Sequence, residues 1–570
     1  MKKITLLAVA VIASTSMIAS AQTTLADTQT LWAKQLTTSN ATQGSQIAWA
    51  KGGGIFVIGD AGTKTASEEI KLGDDLLGYG VDYGGNSTNC NLVLNKLDAD
   101  GNLLWTVISC GGETASNETC IAPTNDGGVV AFFKMRHTQG YETSPIKFKD
   151  ATGSETTLDW SITGTNRYYN AYVVKVNAQG AITWITPIEV NHVTDATTYP
   201  AISEGTNIGT GVYTYAVEID AAGNVYIAGR MVAALTIDGT TIAVHNTSAN
   251  TINNVGGNMF LIKLDSNGNY INHIVSGGTS GKERITNLAI DGNSIYLLAA
   301  ITGATGGSTF SLGNIEATST GTFESFATAK LDLDLTPQWF KFYESNLNGS
   351  AINSPNLTIG DDELFIGTYG KMGLPDVGGS PFSASLTRQA IMLKANAQDG
   401  ALTAAMKKDV NQEGYVDAFM GSDGKLYAMS YGLTSGNLVG NLVLDKINPA
   451  TMAIEESATL MTNTANAQGI AVKDRKIFTL ARAARNVNIN FINSSDITFN
   501  RDPFTTVIAG YELPQSFTPT AISSVNAEKT LKAVRYFNAT GIESATPHPG
   551  FNIMVKHYSD GSREVVKIMR

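Results

Sequence analysis

An all-β fold is predicted for this chain, and three observations predict it. Apolar residues nowhere keep helical spacing for three turns, whereas short β-branched and aromatic runs recur throughout. The runs come as a unit, fullest between Glu218 and Val275: EIDAAGNVYIAGR, a polar loop, then GGNMFLIKLDSNGNYINHIV, which reads turn, strand, loop, strand, turn, strand. Weaker copies of that unit fill most of the chain. Phe56, Val130, Tyr226, Tyr296, Phe365, Tyr427 and Phe478 hold one place in GIFVIG, GVVAFF, NVYIAG, SIYLLA, ELFIGT, KLYAMS and KIFTLA. Seven anchors, 51 to 96 residues apart, make seven units with variable loops. A unit of a few strands cannot bury both faces alone, so neighbours must stack. The expectation is a seven-bladed β-propeller; a parallel β-helix needs shorter, more regular rungs.

The start of the chain carries an address. Met1-Lys2-Lys3, the apolar run Ile4 to Ala13 and the small residues Ala19-Ser20-Ala21 read as a signal peptide over 1–21, cut before Gln22. Gln22 is not cysteine, so no lipid anchor is expected there, and no later segment is apolar for long enough to cross a bilayer. The expected mature protein is exported, to the cell surface or the medium, without a transmembrane segment. Losing Lys2 and Lys3 takes the formal charge from −11 to −13, which disfavours nucleic acid as a partner. Length alone does not force a split, because long all-β folds often exceed the usual domain size.

Leu31-Trp32-Ala33-Lys34-Gln35-Leu36 reads as a stray outer strand. Trp32 matches Trp105, Trp184 and Trp339, each just after a hairpin of its unit, and the last unit lacks a clear tryptophan strand. Residues 31–36 are therefore expected to complete the seventh blade beside 505–513, leaving no open edge; Phe517 in PQSFTPTA is the alternative source. The propeller then spans 22–520. Tight turns precede every anchor strand and follow every second strand, with Asn267-Gly268 read as a two-residue hairpin. These turns share one plain face. The long connections 60–90, 134–170, 187–210, 230–257 and 301–323 share the other, where binding is expected to reside. Residues 521–570 form a separate, small, β-sandwich-like module with a hairpin at Ser559-Asp560-Gly561.

Candidate chemistry is sparse. The richest binding candidate is the second loop, with Tyr141, Trp160, Arg167, Tyr168 and Tyr169: flat rings stack on sugars or peptide side chains, and arginine adds bidentate hydrogen bonds. The bland alternative is that Tyr168 and Tyr169 cover the edge of the following strand. Cys90 and Cys110 lie ten residues either side of Asp100, so a symmetric hairpin would place them opposite for a disulfide. Cys110 with Cys120 is the second pairing, and three buried thiols the third possibility. Asp98-Ala99-Asp100-Gly101-Asn102 and Asp265-Ser266-Asn267-Gly268-Asn269 lack the closing glutamate of a calcium loop and read as turns. The six histidines never pair at metal-ligand spacing; no metal, cofactor or catalytic residue is assigned. Asp60, Glu142 and Asp376 are the acidic loop residues a glycosidase would draw upon.

DAAGNVYIAG, FLIKLDSNGNYI and LNKLDADGNLLW resemble the bacterial β-propeller repeat (SBBP-type) of large secreted proteins, over roughly 31–513. The tail resembles the C-terminal sorting signal of type IX secretion cargo, through Val534-Arg535-Tyr536-Phe537-Asn538, Thr540-Gly541, Pro549-Gly550 leading into Phe551 to Val555, and Lys567. The resemblance implies that secretion machinery reads the tail and that the propeller is its passenger. The leading functional expectation is a non-enzymatic binding or adhesion scaffold for a glycan or protein. The alternative is a glycan-active hydrolase or lyase with carboxylates on the loop-rich face.

Overall fold

The computed structural model describes residues 24–38, 40–63, 67–80, 91–110, 113–114, 118–136, 146–158, 170–190, 212–245, 257–278, 282–302, 307–320, 324–347, 351–411, 413–433, 440–483, 487–494, 497–499, 504–514, 531–538, 543–544, 546, 551–558 and 563–569. Apart from one 3₁₀ turn, Leu25–Asp27, the regular elements among them are strands in antiparallel sheets.

Among the described residues, seven four-stranded units can be traced through the pairing. The first is Thr42–Trp49, Ile55–Ala61, Asn91–Leu97 and Leu103–Cys110; the second is Cys120–Pro123, Val129–Arg136, Asn170–Val176 and Ile182–Val190. The third runs Val212–Ile219, Val225–Met231, Asn258–Leu264 and Tyr270–Gly278; the fourth Lys282–Asp291, Ser294–Thr302, Glu324–Asp332 and Pro337–Tyr343. The fifth is Ala351–Gly360, Glu363–Val377, Ser380–Asn396 and Leu402–Asn411. The sixth is Glu413–Met420, Leu426–Leu433, Gly440–Asn448 and the first half of Ala453–Lys473, whose second half opens the seventh. Lys476–Ala483 and Thr506–Glu512 continue the seventh unit, and Gln29–Thr37, from the opposite end of the chain, is its fourth strand, with Trp32 opposite Gly510 and Leu36 opposite Thr506.

The apolar core is divided among the seams between consecutive units. One cluster joins Phe56, Leu94 and Trp105 of the first unit to Val129, Phe133 and Tyr172 of the second. Others join second to third, third to fourth, fourth to fifth, fifth to sixth and sixth to seventh. A further cluster joins the seventh to the first, through Leu36, Phe478, Leu480 and Ile508 against Ile47, Ile55, Val57 and Val93. This is why the strand pattern is nearly continuous in apolar residues: each sheet buries both faces, one against each neighbour. First strands also clasp one another. Each of Gln46, Asn356 and Asp417 follows an irregularity in its strand, and each reaches the next unit's first strand: Gln46 accepts from Ile121 N–H (2.6 Å), Asn356 donates to the Tyr415 carbonyl (3.3 Å), Asp417 accepts from Ile470 N–H (2.9 Å).

The plain end is locked by a repeated device. The Trp105 ring lies against Gly180 in the next unit's hairpin, and its indole N–H donates to the Ala178 carbonyl at 3.0 Å. Trp184 repeats this on Gly268 and the Ser266 carbonyl (3.2 Å), and Trp32 on Gly101 and the Ala99 carbonyl (3.0 Å). Trp339 packs on Gly400 in the same way, while in the third unit Asn272 stands in for the tryptophan and donates to the Asp334 carbonyl at 3.1 Å. These glycines have φ near +80° (+84° at Gly101, +86° at Gly180, +85° at Gly268). Here glycine is required twice over, for the left-handed backbone and for the ring that a Cβ would meet within 3 Å.

Three expectations are corrected. Asn267-Gly268 is not a two-residue turn. Gly268 N–H bonds the Asp265 carbonyl, and Asp265 N–H bonds the Asn269 carbonyl (3.0 and 2.8 Å), giving a three-residue loop closed by a glycine bulge. The carboxylate of Asp265 accepts from the N–H groups of Asn267 and Asn269 and from the Asn269 amide, all at 2.8 Å. Asp98 does the same in its own turn, so these carboxylates are consumed by hairpins. Second, part of the long connections does not crown the loop-bearing face. Glu69–Leu72/Asp75–Tyr79, Ile146–Lys149/Glu155–Leu158, Leu235–Ile237/Thr240–Ile242 and Ser308–Leu312/Ile315–Ser319 are hairpins, each paired to the outer strand of the preceding unit. They cover sheet edges. Third, the C-terminal module is, among the described residues, one four-stranded sheet in the order Glu543–Ser544, Leu531–Asn538, Phe551–Tyr558, Arg563–Met569, rather than a sandwich.

Candidate functional site

The end of each unit where first strands begin and second strands finish bears the long connections. Side chains alternate along a strand, so the residue four after each anchor shares the anchor's face and enters the seam at that end. Those residues are Asp60, Lys134, Arg230, Ala300, Tyr369, Tyr431 and Arg482. Where the anchors are aromatic in six units of seven, these positions vary from one unit to the next, and four of them carry a charged side chain: Asp60, Lys134, Arg230 and Arg482.

Between the second and third units, the Lys134 ammonium is buried in an ion pair with Glu118 and lies 4.5 Å from the centre of the Tyr213 ring. The Arg230 guanidinium lies 5.2 Å from the same ring, and Tyr213 stacks on Tyr215 with centroids 6.2 Å apart and planes 6° from parallel. Cations over aromatic faces gain about 0.5–2 kcal/mol depending on desolvation. Arg284, on the first strand of the fourth unit, pairs with Glu324 at 2.8 Å. Burial lowers the pKa of Arg230, and the like charge of Arg284 adds to that. Glu283, fully buried beside them, accepts from the Ser276 hydroxyl, whose oxygen accepts from the Met259 N–H at 2.9 Å; burial pushes the Glu283 carboxyl up to about 8.

Two other seams repeat the theme with different residues. At the fifth, the exposed Arg388 guanidinium lies 5.7 Å from the Tyr369 ring, against which Gly414 of the sixth unit packs, and burial raises Tyr431 to about 12. Deeper there, Lys408 bridges Asp445 (2.5 Å) and Glu413 (3.3 Å), while Asp445 also accepts from the Tyr415 and Ser457 hydroxyls at 3.1 and 2.6 Å. Asp445 is thus saturated from within, as a structural ion is. At the seventh, Arg482 lies 4.4 Å from the Phe504 ring, its pKa lowered by burial and partly restored by the charge of Asp60 across the seam.

Tyr141, Trp160, Arg167, Tyr168 and Tyr169 lie outside the described residues, as do Cys90 and Glu142. Cys110 ends the fourth strand of the first unit. The symmetric hairpin behind its pairing with Cys90 does not hold: a bulge between Lys96 and Leu97 moves the register by one, from Leu97 opposite Leu103 to Lys96 opposite Trp105. Cys120 is a free, buried thiol whose pKa burial raises well above the ordinary value. Asp60 is buried at the first unit's seam, whereas Asp376 is exposed in a fifth-unit turn, accepting from Gly379 N–H; the fold does not bring them together. Among the described residues no group of three His, Cys, Asp or Glu side chains is placed to hold a metal. The seam residues lie inside the repeated strands, not in the loops where binding was expected. Their signal was the position four after each anchor, which varies from unit to unit.

No protein-family model matches the chain, and no curated protein does. Among solved structures, the chain is similar to the extracellular domain assigned to a hybrid two component system of B. thetaiotaomicron, at 9% identity and a TM-score of 0.15, over 94% of this chain and 99% of that one. That score is too low to inform the fold. Among the described residues no helix is long and apolar enough to cross a membrane.

Proposed function

We propose that the chain is an exported, non-enzymatic binding module: a seven-bladed β-propeller that presents its loop-bearing end to a ligand, followed by a tail read by type IX secretion machinery. The blade reading is supported by the succession of seam cores and by the outer strand that the N-terminus lends to the seventh unit. The tail reading is supported by the resemblance of its motifs to sorting signals, with Tyr536 in the strand between the two neighbours in its sheet.

The binding reading rests on one observation. At three seams of the same end an arginine lies over an aromatic ring: Arg230 on Tyr213, Arg388 on Tyr369, Arg482 on Phe504. Guanidinium and ring together recognise planar polar groups and the apolar faces of sugars or side chains. A glycan and protein array probed with the secreted chain tests this. A ligand should bind and be lost with Arg388→Ala and Tyr369→Ala, but not with Lys425→Ala, in a turn at the plain end. Binding indifferent to Arg230, Arg388 and Arg482 alike would remove this face from consideration. Deletion of 532–570 should hold the protein in the periplasm; normal surface display of that deletion would end the tail reading.

A further inference from the structure

We infer that the seam between the second, third and fourth units binds a carboxylate-bearing saccharide, with Arg230 and Arg284 receiving the carboxylate and Tyr215 the sugar face. The inference rests on the binding role proposed for this end and names the ligand class. Its first support is charge. Lys134, Arg230 and Arg284 converge on one tyrosine pair, and the like charge of Arg284 contributes to the lowered pKa of Arg230. Apposed guanidinium groups repel, and an anion set between them relieves that repulsion while accepting paired N–H bonds from a planar fork.

The second support is shape. Lys134 and Arg230 attend the Tyr213 ring, and Tyr215 stacks parallel to it. Tyr213, Tyr215, Arg230 and Arg284 all keep partial exposure, so a ligand can reach them without unfolding the seam. Tyr215 is also the bulged residue of its strand, between Thr214 and Ala216, a place where a bulge re-aims a side chain out of the sheet's alternation. A flat, partly exposed ring on a strand shared with Tyr213, whose ring Arg230 attends, offers a stacking face beside cationic groups. Glu118 and Glu324 pair with Lys134 and Arg284 and hold those cations in place, while Glu283, buried and hydrogen-bonded to Ser276, stays largely protonated at neutral pH and adds little negative charge to the seam.

The test is calorimetric titration of the full chain with trigalacturonate, maltotriose as the neutral counterpart and polyglutamate as the acidic peptide. Trigalacturonate should bind, and Arg230→Gln and Tyr215→Ala should each weaken it about tenfold or more, with Lys425→Ala, at the plain end, unchanged. Salt should weaken it further. Thermal melts of each variant separate lost binding from lost fold. Since Arg230→Gln removes a partly buried cation, Arg230→Lys serves as a second variant: it retains the charge and should recover only part of the affinity. No binding of trigalacturonate, or equal binding of maltotriose, overturns the inference while leaving a neutral-ligand scaffold standing. Binding of polyglutamate alone overturns the saccharide. Arrays blank for every ligand would sink the broader binding role instead.

Discussion

Replacing Trp32 by alanine should destabilise the whole molecule, although the residue lies only a few positions from the first described strand's start. Its ring rests on Gly101 in the first unit, sits 6.0 Å from the Phe478 ring, and donates to the Ala99 carbonyl at 3.0 Å. Truncating a fully buried tryptophan costs about 3–5 kcal/mol. Trp32 is only partly buried, which lowers that to about 2 kcal/mol, and the lost hydrogen bond adds about 1 kcal/mol. A loss of about 3 kcal/mol is a large share of the 5–15 kcal/mol typical of folded domains. The control is Trp105→Ala, which removes the same contact between units joined directly along the chain. Urea unfolding followed by circular dichroism should show a lowered midpoint of the single main transition for both variants, with the larger fall for Trp105, the more buried of the two. If Trp32→Ala merely releases residues before Thr42 to protease and leaves the main transition in place, the N-terminal strand is docked rather than integral, and the reasoning fails.

Gly180→Ala should cost more than Gly424→Ala. Both have left-handed backbones (φ +86° and +70°), but a Cβ at Gly180 meets Ala151 at 2.5 Å and Trp105 at 2.8 Å, while Gly424 has open space; melting temperatures decide. The Glu283 carboxyl, raised to about 8, binds its proton more tightly folded than unfolded, so its contribution falls as pH rises from the ordinary carboxylate range through about 8. Glu283→Gln should flatten that part of the stability profile and raise stability at pH 9. Cys120, buried with its pKa raised, should resist thiol reagents in the native state and react on unfolding.

Much of the local structure was legible because short periods encode it. Asn224 to Gly229 and Met259 to Leu264 were readable as strands from composition alone, and the match of Trp32 to Trp105 pointed at a strand which the structure pairs with Thr506–Glu512. Pairings over long distances were not legible. Nothing in IKFK or LTIDGTTI announces that these hairpins add to Leu103–Cys110 and Ile182–Val190. The bulges were hidden for a different reason. In six hairpins the register slips directly after a lysine; at Lys96, Lys175 and Lys263 a three-residue loop with a left-handed glycine leaves one residue over, and at Lys330, Lys394 and Lys446 the left-handed residue is Leu335, Gly400 or Met452. The symmetric fold that set Cys90 opposite Cys110 ignored that extra residue. The lysines themselves were visible in LNKLD, LIKLD and LDKIN but were given no role; opposite the anchor, Lys96 lies over Phe56, Lys263 over Tyr226 and Lys446 over Tyr427.

The two ends of each seam differ in a way that bears on function. At the plain end the seam is filled by the same parts repeatedly: a tryptophan on a glycine, a lysine over an aromatic anchor, an indole N–H on a hairpin carbonyl. Repetition there follows from the hairpins, since a left-handed glycine under a tryptophan ring recurs at Gly101, Gly180, Gly268 and Gly400. At the loop-bearing end the equivalent position runs Asp60, Lys134, Arg230, Ala300, Tyr369, Tyr431, Arg482, with no two neighbours alike except the tyrosines. The same sheets pack against one another at both ends, so packing alone gives no reason for one end to diversify. Divergence among internal copies marks where packing has stopped dictating the residue and something outside the sheet has begun to. Stability and ligand choice should therefore be separable: substitutions at Arg388 or Tyr369 should change what binds with little change in melting, and substitutions at Gly101 or Trp184 the reverse.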